Sequence, residues 1–403
     1  MNKERVLLQL PISRRREGLT LRADGAAFLA LALFCGLAGG FLGFVSQNTG
    51  PTHALGHGLL LDLFVLIPAF LGGMGRLILP GELTSLPSLM VRFDRVALVV
   101  LFLGALCALG GVSRPDLFAV SMGLWSVGVV LLALSTIVKC LECRVVRFRD
   151  LSPFTWSQLL ASLGLVVIVP VVLAGLCHDL VAGGDAQIVA GVWLGRIQVP
   201  VLALVMQLAL GAIANLVSFH STRAKIVLPL LMAVPTLGVS VVWAHGVIVP
   251  GLSEAWLLGV GVALPCFGIM GLICASLWRR SFTMTYALSW SFPALLLLSA
   301  GWALYLFPAR PEAFHSAMLF GAVFALFGCY YRWQAQLGDM AAPLWLGRLH
   351  LVSMGIAVLA MIPFLPMLRH IGEAGMMVSL CCVACLGVRL IMPLREPAKV
   401  DLS

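Results

Sequence analysis

Long apolar runs alternate with short polar segments along the whole chain. Each run has about 18 residues or more, the length that an α-helix needs to cross a bilayer, and none alternates every second residue as a half-buried strand does. The runs predict twelve transmembrane helices at 25–46, 54–79, 95–113, 116–141, 155–181, 187–217, 225–248, 255–278, 284–307, 312–331, 343–366 and 373–394. The predicted fold class is therefore all-α, a polytopic membrane protein built as one twelve-helix bundle.

The basic residues predict an orientation for these helices. Lys and Arg concentrate in the leader, in every second loop and in the tail, whereas the intervening loops hold Arg114, Arg310 and Arg369. Because loops rich in Lys and Arg stay on the cytoplasmic side, both termini are predicted to be cytoplasmic. The chain then divides into a cytoplasmic basic leader (1–24), a single membrane domain (25–394) and a cytoplasmic tail (395–403).

Composition supports the membrane interpretation and excludes several function classes. Of the 403 residues, 61% are hydrophobic and 11% are charged, and the mean hydropathy is +1.05. A soluble domain needs more polar surface than that. The net charge of +9 is spread over short loops and indicates membrane orientation, so no nucleic-acid partner is expected. The eleven cysteines include a group inside an apolar run, and they are interpreted as helix-packing residues.

Three histidines fall at one predicted depth in the membrane. His57 on span 2, His315 on span 10 and His245 on span 7 all lie in the outer third of the bundle. Ionisable residues inside a bilayer are costly and are candidates for function. Imidazole is a common ligand of haem iron, and two facing rings would hold a six-coordinate, low-spin haem. The alternative is that each histidine packs or hydrogen-bonds between helices.

Several segments resemble subunit I of the haem-copper oxidases of the cytochrome c oxidase type. The most specific are HGLLLDLFVLIPAFLGGMGRLILP at 57–80, similar to the family's helix II, and FHSAMLFGAVFALFGCYY at 314–331, similar to helix X. Weaker similarities to helices V, VII and XI follow in the correct order at 153–176, 241–246 and 347–351. The resemblance covers nearly the whole chain, and twelve spans is the family's own number.

The resemblance implies one haem site in this chain. The family's two low-spin haem ligands correspond to His57 and His315, whereas the ligand of the high-spin, oxygen-reacting haem corresponds to Ala313. A basic pair that meets haem propionates in the family corresponds to Arg369 and His370. One low-spin haem of undetermined type is therefore expected as the cofactor.

The family's copper site, in contrast, corresponds to residues that cannot bind copper in the same way. In the segment similar to helix VI, the copper-ligating His, the proton-carrying Glu and the cross-linked Tyr correspond to Arg196, Gln198 and Pro200. Of the helix VII pair of copper ligands, His245 remains and Gly246 replaces the other. These positions and Ala313 form a vestigial active-site region, and copper is not expected.

Two further charged residues each have two possible interpretations. Arg196 either occupies the emptied copper region or extends to the outer membrane interface. Asp62, five residues after His57, stands where the family has an apolar residue. It either accepts a proton coupled to haem reduction or is a neutral acid bonded to a neighbouring helix.

These departures favour a catalytically degenerate, pseudoenzyme-like subunit that relays electrons within a respiratory-type complex. An active oxygen or nitric oxide reductase with a non-standard active site is one alternative, and a haem-based sensor or structural subunit is another. The expected partners are the lipid bilayer and other membrane or cytochrome subunits as electron donor and acceptor, with quinol as a further candidate donor. The expected location is the inner membrane of a bacterium.

Overall fold

A computed structural model describes residues 12–83, 88–217, 222–249, 255–278, 285–306, 311–334, 343–360 and 369–391. The tail predicted at 395–403 and residues 1–11 of the predicted leader lie outside these ranges. The side chains of three predicted site residues, Ala313, Arg369 and His370, also lie outside the described ones, although their backbone is helical. The described residues are helical throughout apart from short connections and an isolated bridge between Leu83 and Arg144.

The helices follow the predicted spans closely. In chain order they are α1 (Ile12–Thr49), α2 (Pro51–Gly81), α3 (Ser88–Gly110), α4 (Asp116–Glu142), α5 (Pro153–Val181), α6 (Ala186–Ala214), α7 (Thr222–Ile248), α8 (Ala255–Trp278), α9 (Tyr286–Leu306), α10 (Pro311–Gln334), α11 (Leu344–Ala360) and α12 (Arg369–Ile391). Within the described ranges, nine of them contain a stretch long and apolar enough to cross a membrane, and α8, α11 and α12 contain shorter apolar stretches. The prediction of an all-helical, polytopic membrane protein is confirmed.

Helix α1 differs from its predicted span at the amino-terminal end. It begins at Ile12 and continues without interruption to Thr49, so part of the predicted leader is helical. No proline falls in this stretch, and a polar extension of a membrane helix can keep its backbone hydrogen bonds within the helix. The apolar part of α1, Ala23–Val45, matches the predicted first span.

Helix α2 is not a uniform α-helix. Its α-helical part, Pro51–Phe64, is followed by a π-helical segment at Pro68–Met74 and a short α-helical turn at Gly75–Ile78. π-Helical insertions are uncommon and often lie at functional sites. Gly75 and Arg76, in the turn that follows this segment, are both buried.

Helix α6 lies at the centre of the bundle. Of its most apolar window, 89% is buried inside the protein, against 33% for the windows of α1 and α3. Pro200 stands inside α6, and such prolines are tolerated in membrane helices because neighbouring helices cover the interrupted backbone. The central position of α6 places its side chains between α2 and α10, where the candidate site lies.

Candidate functional site

His57 is held in a defined orientation by α1. Its Nδ1–H donates a hydrogen bond to the carbonyl oxygen of Gly39 at 2.8 Å. A carbonyl can only accept, so Nδ1 carries the proton and the neutral ring keeps the lone pair on Nε2. The ring also packs against Gly43, where an added Cβ would lie 2.4 Å from Nδ1. This arrangement is typical of histidines that bind a metal through the other nitrogen.

Asp62 lies deep in the bundle and connects three helices. Its side chain is 4% exposed, and its Oδ1 lies 3.1 Å from Nε2 of His315 on α10. Gln198 on α6 donates a hydrogen bond from Nε2 to Oδ2 of Asp62 at 3.0 Å. Asp62 is therefore bonded to a neighbouring helix, and both its proton-accepting role and its neutral state stay predictions.

His315 has one nitrogen near a carboxylate and one without a partner among the described residues. Nε2 of His315 lies within ion-pair distance of Oδ1 of Asp62. That oxygen nevertheless accepts no hydrogen bond of suitable geometry from the described part of the chain. Nδ1 of His315 is also buried without a hydrogen-bond partner among the described residues. His315 is thus less firmly oriented than His57.

Gln198 and Arg196, both on α6, lie in different environments. The side-chain amide of Gln198 points into the bundle and donates its hydrogen bond to Asp62. Arg196 is exposed, and its guanidinium carbon lies 4.9 Å above the centre of the Trp193 ring. The Arg196 guanidinium thus lies at the surface of the described bundle beside the largely buried Trp193 ring, and its extension to the outer membrane interface stays a prediction.

His245 differs from these side chains in its exposure. It is exposed on α7, whereas His57 and His315 are half-buried. Within the described residues, no group of three or more His, Cys, Asp or Glu side chains is placed to hold a metal ion. The structure therefore brings Asp62, Gln198 and His315 together, seats His57 against α1, and leaves Arg196 and His245 at the surface.

A second buried polar cluster was not predicted from the sequence. Asp94 on α3 accepts hydrogen bonds from Arg76 on α2, at 3.1 Å from Nε and 2.5 Å from Nη2, and it pairs with Lys139 on α4. Arg76 also donates to the carbonyl of Leu71 at 2.7 Å and to Thr136 at 2.9 Å. The sequence interpretation counted Arg76 and Lys139, at the ends of their helices, with the basic residues of the loops; this is corrected because both side chains are 1% exposed.

Comparison with known proteins supports the resemblance. No protein-family model matches the chain. Cytochrome c oxidase subunit 1 of Cereibacter sphaeroides is 23% identical over 438 aligned positions, which cover 89% of this chain and 75% of that protein. Cytochrome c oxidase subunit 1 of Debaryomyces hansenii is 23% identical over 386 positions (80% and 70%), and that of Eremothecium gossypii is 22% identical over 383 positions (76% and 71%).

These relatives span most of the chain at low identity, and the helical bundle agrees with them. Since the similarity extends over at least 76% of the chain in each case, it is not confined to one apolar segment. The chain is a divergent relative of cytochrome c oxidase subunit 1, a haem-copper oxidase subunit I-like polytopic membrane protein.

Proposed function

We propose that this protein holds one low-spin haem between His57 and His315 and relays electrons within a membrane complex without reducing oxygen. The observation that carries the proposal is the hydrogen bond that orients the His57 ring. Its Nδ1–H is bonded to the Gly39 carbonyl, so Nε2 is the nitrogen with a lone pair for iron. Relatives named as subunit 1 of cytochrome c oxidase supply independent support.

The His315 side fits the same group less completely. Its Nε2 lies 3.1 Å from Asp62, so ligation of iron through this atom requires the ring to turn away from the carboxylate. Gln198 holds the other oxygen of Asp62 and keeps the carboxylate in place while the ring moves. Held by these two imidazoles, a haem would supply one-electron transfer and would leave no position open for a substrate.

The residues that replace the family's oxygen-reacting centre serve other purposes here. Ala313 has no lone pair to offer a metal, Gln198 donates to Asp62, and Arg196 stacks on Trp193. Oxygen reduction needs an open iron position and a nearby metal, and these side chains do not supply ligands for either. The chain's own residues therefore support electron relay and give no support for chemistry on a bound gas.

The same reasoning indicates the partners. The relatives are named as one subunit of an oxidase, so we propose that this chain also works beside other subunits. His57 lies one to two turns from the start of α2 at Pro51, close to one end of the bundle. A cytochrome or a quinol that docks at this end is the proposed electron donor.

A haem and copper count on purified protein tests the proposal. We expect one haem per chain by pyridine haemochrome, no stoichiometric copper, and a six-coordinate optical spectrum. His57→Ala and His315→Ala should each abolish the six-coordinate spectrum because each removes one of the two imidazoles that would hold the haem. His178→Ala is the matched control, since His178 is 80% exposed and contacts Asp179, and it should retain full haem content.

Three results would contradict the proposal. Absence of haem from the wild-type protein would remove its basis. A spectrum that neither His57→Ala nor His315→Ala alters would place the haem elsewhere. Two haems per chain, or one copper per chain, would instead favour a reductase with a non-standard active site.

A further inference from the structure

Asp62 is a buried acid beside one of the two histidines that are proposed to hold the haem. Its side chain is 4% exposed, and its Oδ1 lies 3.1 Å from Nε2 of His315. Among the described residues, no lysine or arginine forms an ion pair with this carboxyl group. Asp62 therefore places an acidic group directly against the nitrogen that is proposed to bind iron.

Helix α6 holds the carboxyl group of Asp62 in this position. Gln198 of α6 donates a hydrogen bond from Nε2 to Oδ2 of Asp62 at 3.0 Å. One turn nearer the start of α2, a Cβ added at Gly58 would lie 3.1 Å from the side chain of Leu194, which precedes Gln198 by one turn of α6. Two contacts one turn apart keep α2 and α6 together over this stretch. The carboxyl group therefore keeps its place while the ring of His315 turns.

The surroundings of Asp62 are apolar. Its neighbours along α2, Leu59, Leu63 and Phe64, are all 0% exposed. A charge among such side chains is screened little by water or salt. A carboxylate close to a cation commonly stabilises that cation by about tenfold or more in the equilibrium constant. A negative charge on Asp62 would therefore act strongly on iron held by His315.

We propose that the carboxylate of Asp62 lowers the midpoint potential of a haem held by His57 and His315. The ferric state carries one more positive charge than the ferrous state, so a fixed negative charge beside His315 stabilises the ferric state more. One electron from the donor completes the reduction, and no bond or proton has to move. The inference rests on the proposed function. It takes Asp62 as ionised and does not require its protonation to change.

The lowered potential constrains the electron donor. A relay of lower midpoint potential accepts an electron only from a more strongly reducing donor, and it passes the electron on more readily. Since the family that this chain resembles has an apolar residue at the position of Asp62, this constraint would be a property of this chain.

Potentiometric titration of the purified, haem-loaded protein at a single pH tests this role. Asp62→Asn keeps the shape of the side chain and removes its charge, so the midpoint potential should rise. We expect the affinity for ferric relative to ferrous haem to fall about tenfold, which equals about 59 mV for a one-electron couple. Asp62→Glu keeps the charge and should have a potential close to that of the wild type. Haem content should not change in Asp62→Asn, because neither proposed ligand is altered.

Two measurements separate a local charge from other effects. Asp116→Asn removes an acid that is exposed at the start of α4. Because water screens that charge, the potential of this variant should equal that of the wild type. The infrared difference spectrum between ferric wild type and ferric Asp62→Asn reports the charge of Asp62 directly. It should contain the bands of an ionised carboxylate and not that of a protonated carboxyl group.

The outcomes that contradict this inference differ from those that contradict the proposed function. Wild-type protein without haem contradicts both. Haem bound at the same midpoint potential in the wild type and in Asp62→Asn overturns this inference alone, and so does the infrared band of a protonated carboxyl group in the ferric wild type. An equal rise in Asp116→Asn would replace it with a general effect of surface charge. Loss of haem from Asp62→Asn would show that Asp62 supports the site without tuning its potential.

Discussion

At the scale of single residues, the sequence predicts His57 as a haem ligand but does not predict the contacts that orient its ring. The resemblance of 57–80 to the family's helix II identifies His57 directly. The acceptor at Gly39 and the close contact at Gly43 belong to another helix, and sequence spacing does not show which face of α1 meets α2. The glycines at 39 and 43 have the spacing that lets membrane helices approach closely, and this pattern is a signal for the contact.

The close approach at Gly43 gives a sharp test of these contacts. In Gly43→Ala the new Cβ would lie 2.4 Å from Nδ1 of His57, so the ring must shift and its bond to Gly39 weakens. Loss of such support typically costs about tenfold or more in metal affinity. We therefore expect haem binding to weaken by about that factor, measured by haem titration of the purified protein.

Gly40→Ala is the matched control for this variant. An added Cβ at Gly40, on the same helix, meets nothing within 4 Å, so haem affinity should equal that of the wild type. If Gly43→Ala also binds haem like the wild type, His57 is not held as a ligand at this position.

At the scale of helices, the buried ionic cluster joins α2, α3 and α4. The sequence predicts the three helices well, but it places Arg76 and Lys139 at helix ends, where basic residues usually face water. Their partner Asp94 lies on α3, and the π-helical segment of α2 offers the Leu71 carbonyl to Arg76. Neither the face of α3 nor the π-helical turn can be derived from apolar run lengths, so this cluster is found only in the folded bundle.

Removal of the shared anion should destabilise the bundle strongly. Asp94→Asn leaves Arg76 and Lys139 as two buried cations with no carboxylate between them. Loss of one partner of a buried ion pair typically costs about 3–5 kcal/mol. We expect a clear fall in the thermal unfolding temperature of the detergent-purified protein, followed by scanning fluorimetry.

Asp116→Asn provides the comparison, because Asp116 is exposed at the start of α4. An exposed acid contributes little, so this variant should unfold within a degree or two of the wild type, a shift that corresponds to less than about 1 kcal/mol. Equal unfolding temperatures for Asp94→Asn and Asp116→Asn would show that the cluster does not stabilise the bundle.

At the scale of the whole molecule, the number and place of the helices are predictable and the contacts between them are not. Apolar runs mark the helices because hydrocarbon leaves the backbone no other hydrogen-bonding arrangement. The central position of α6 and the meeting of Asp62, Gln198 and His315 arise from residues far apart in the chain. The resemblance predicts that 57 and 315 belong to one site, but it does not predict that Asp62 contacts His315.

The orientation of the bundle remains a prediction from the basic loops, and Cys177 allows a direct measurement. Cys177 is exposed near the end of α5 at Val181, which is predicted to lie at the outer surface. A membrane-impermeant maleimide should therefore label Cys177 on spheroplasts, whose membrane is intact and exposes its outer face. The label should disappear in Cys177→Ser. Because α6, which carries Gln198, begins only five residues after Val181, the same label also reports which side of the membrane the candidate site approaches.

Cys140 is buried and should remain unlabelled with the membrane intact or opened. If Cys177 reacts only after the membrane is opened, the bundle has the opposite orientation, and the proposed electron donor would have to dock from the cytoplasm.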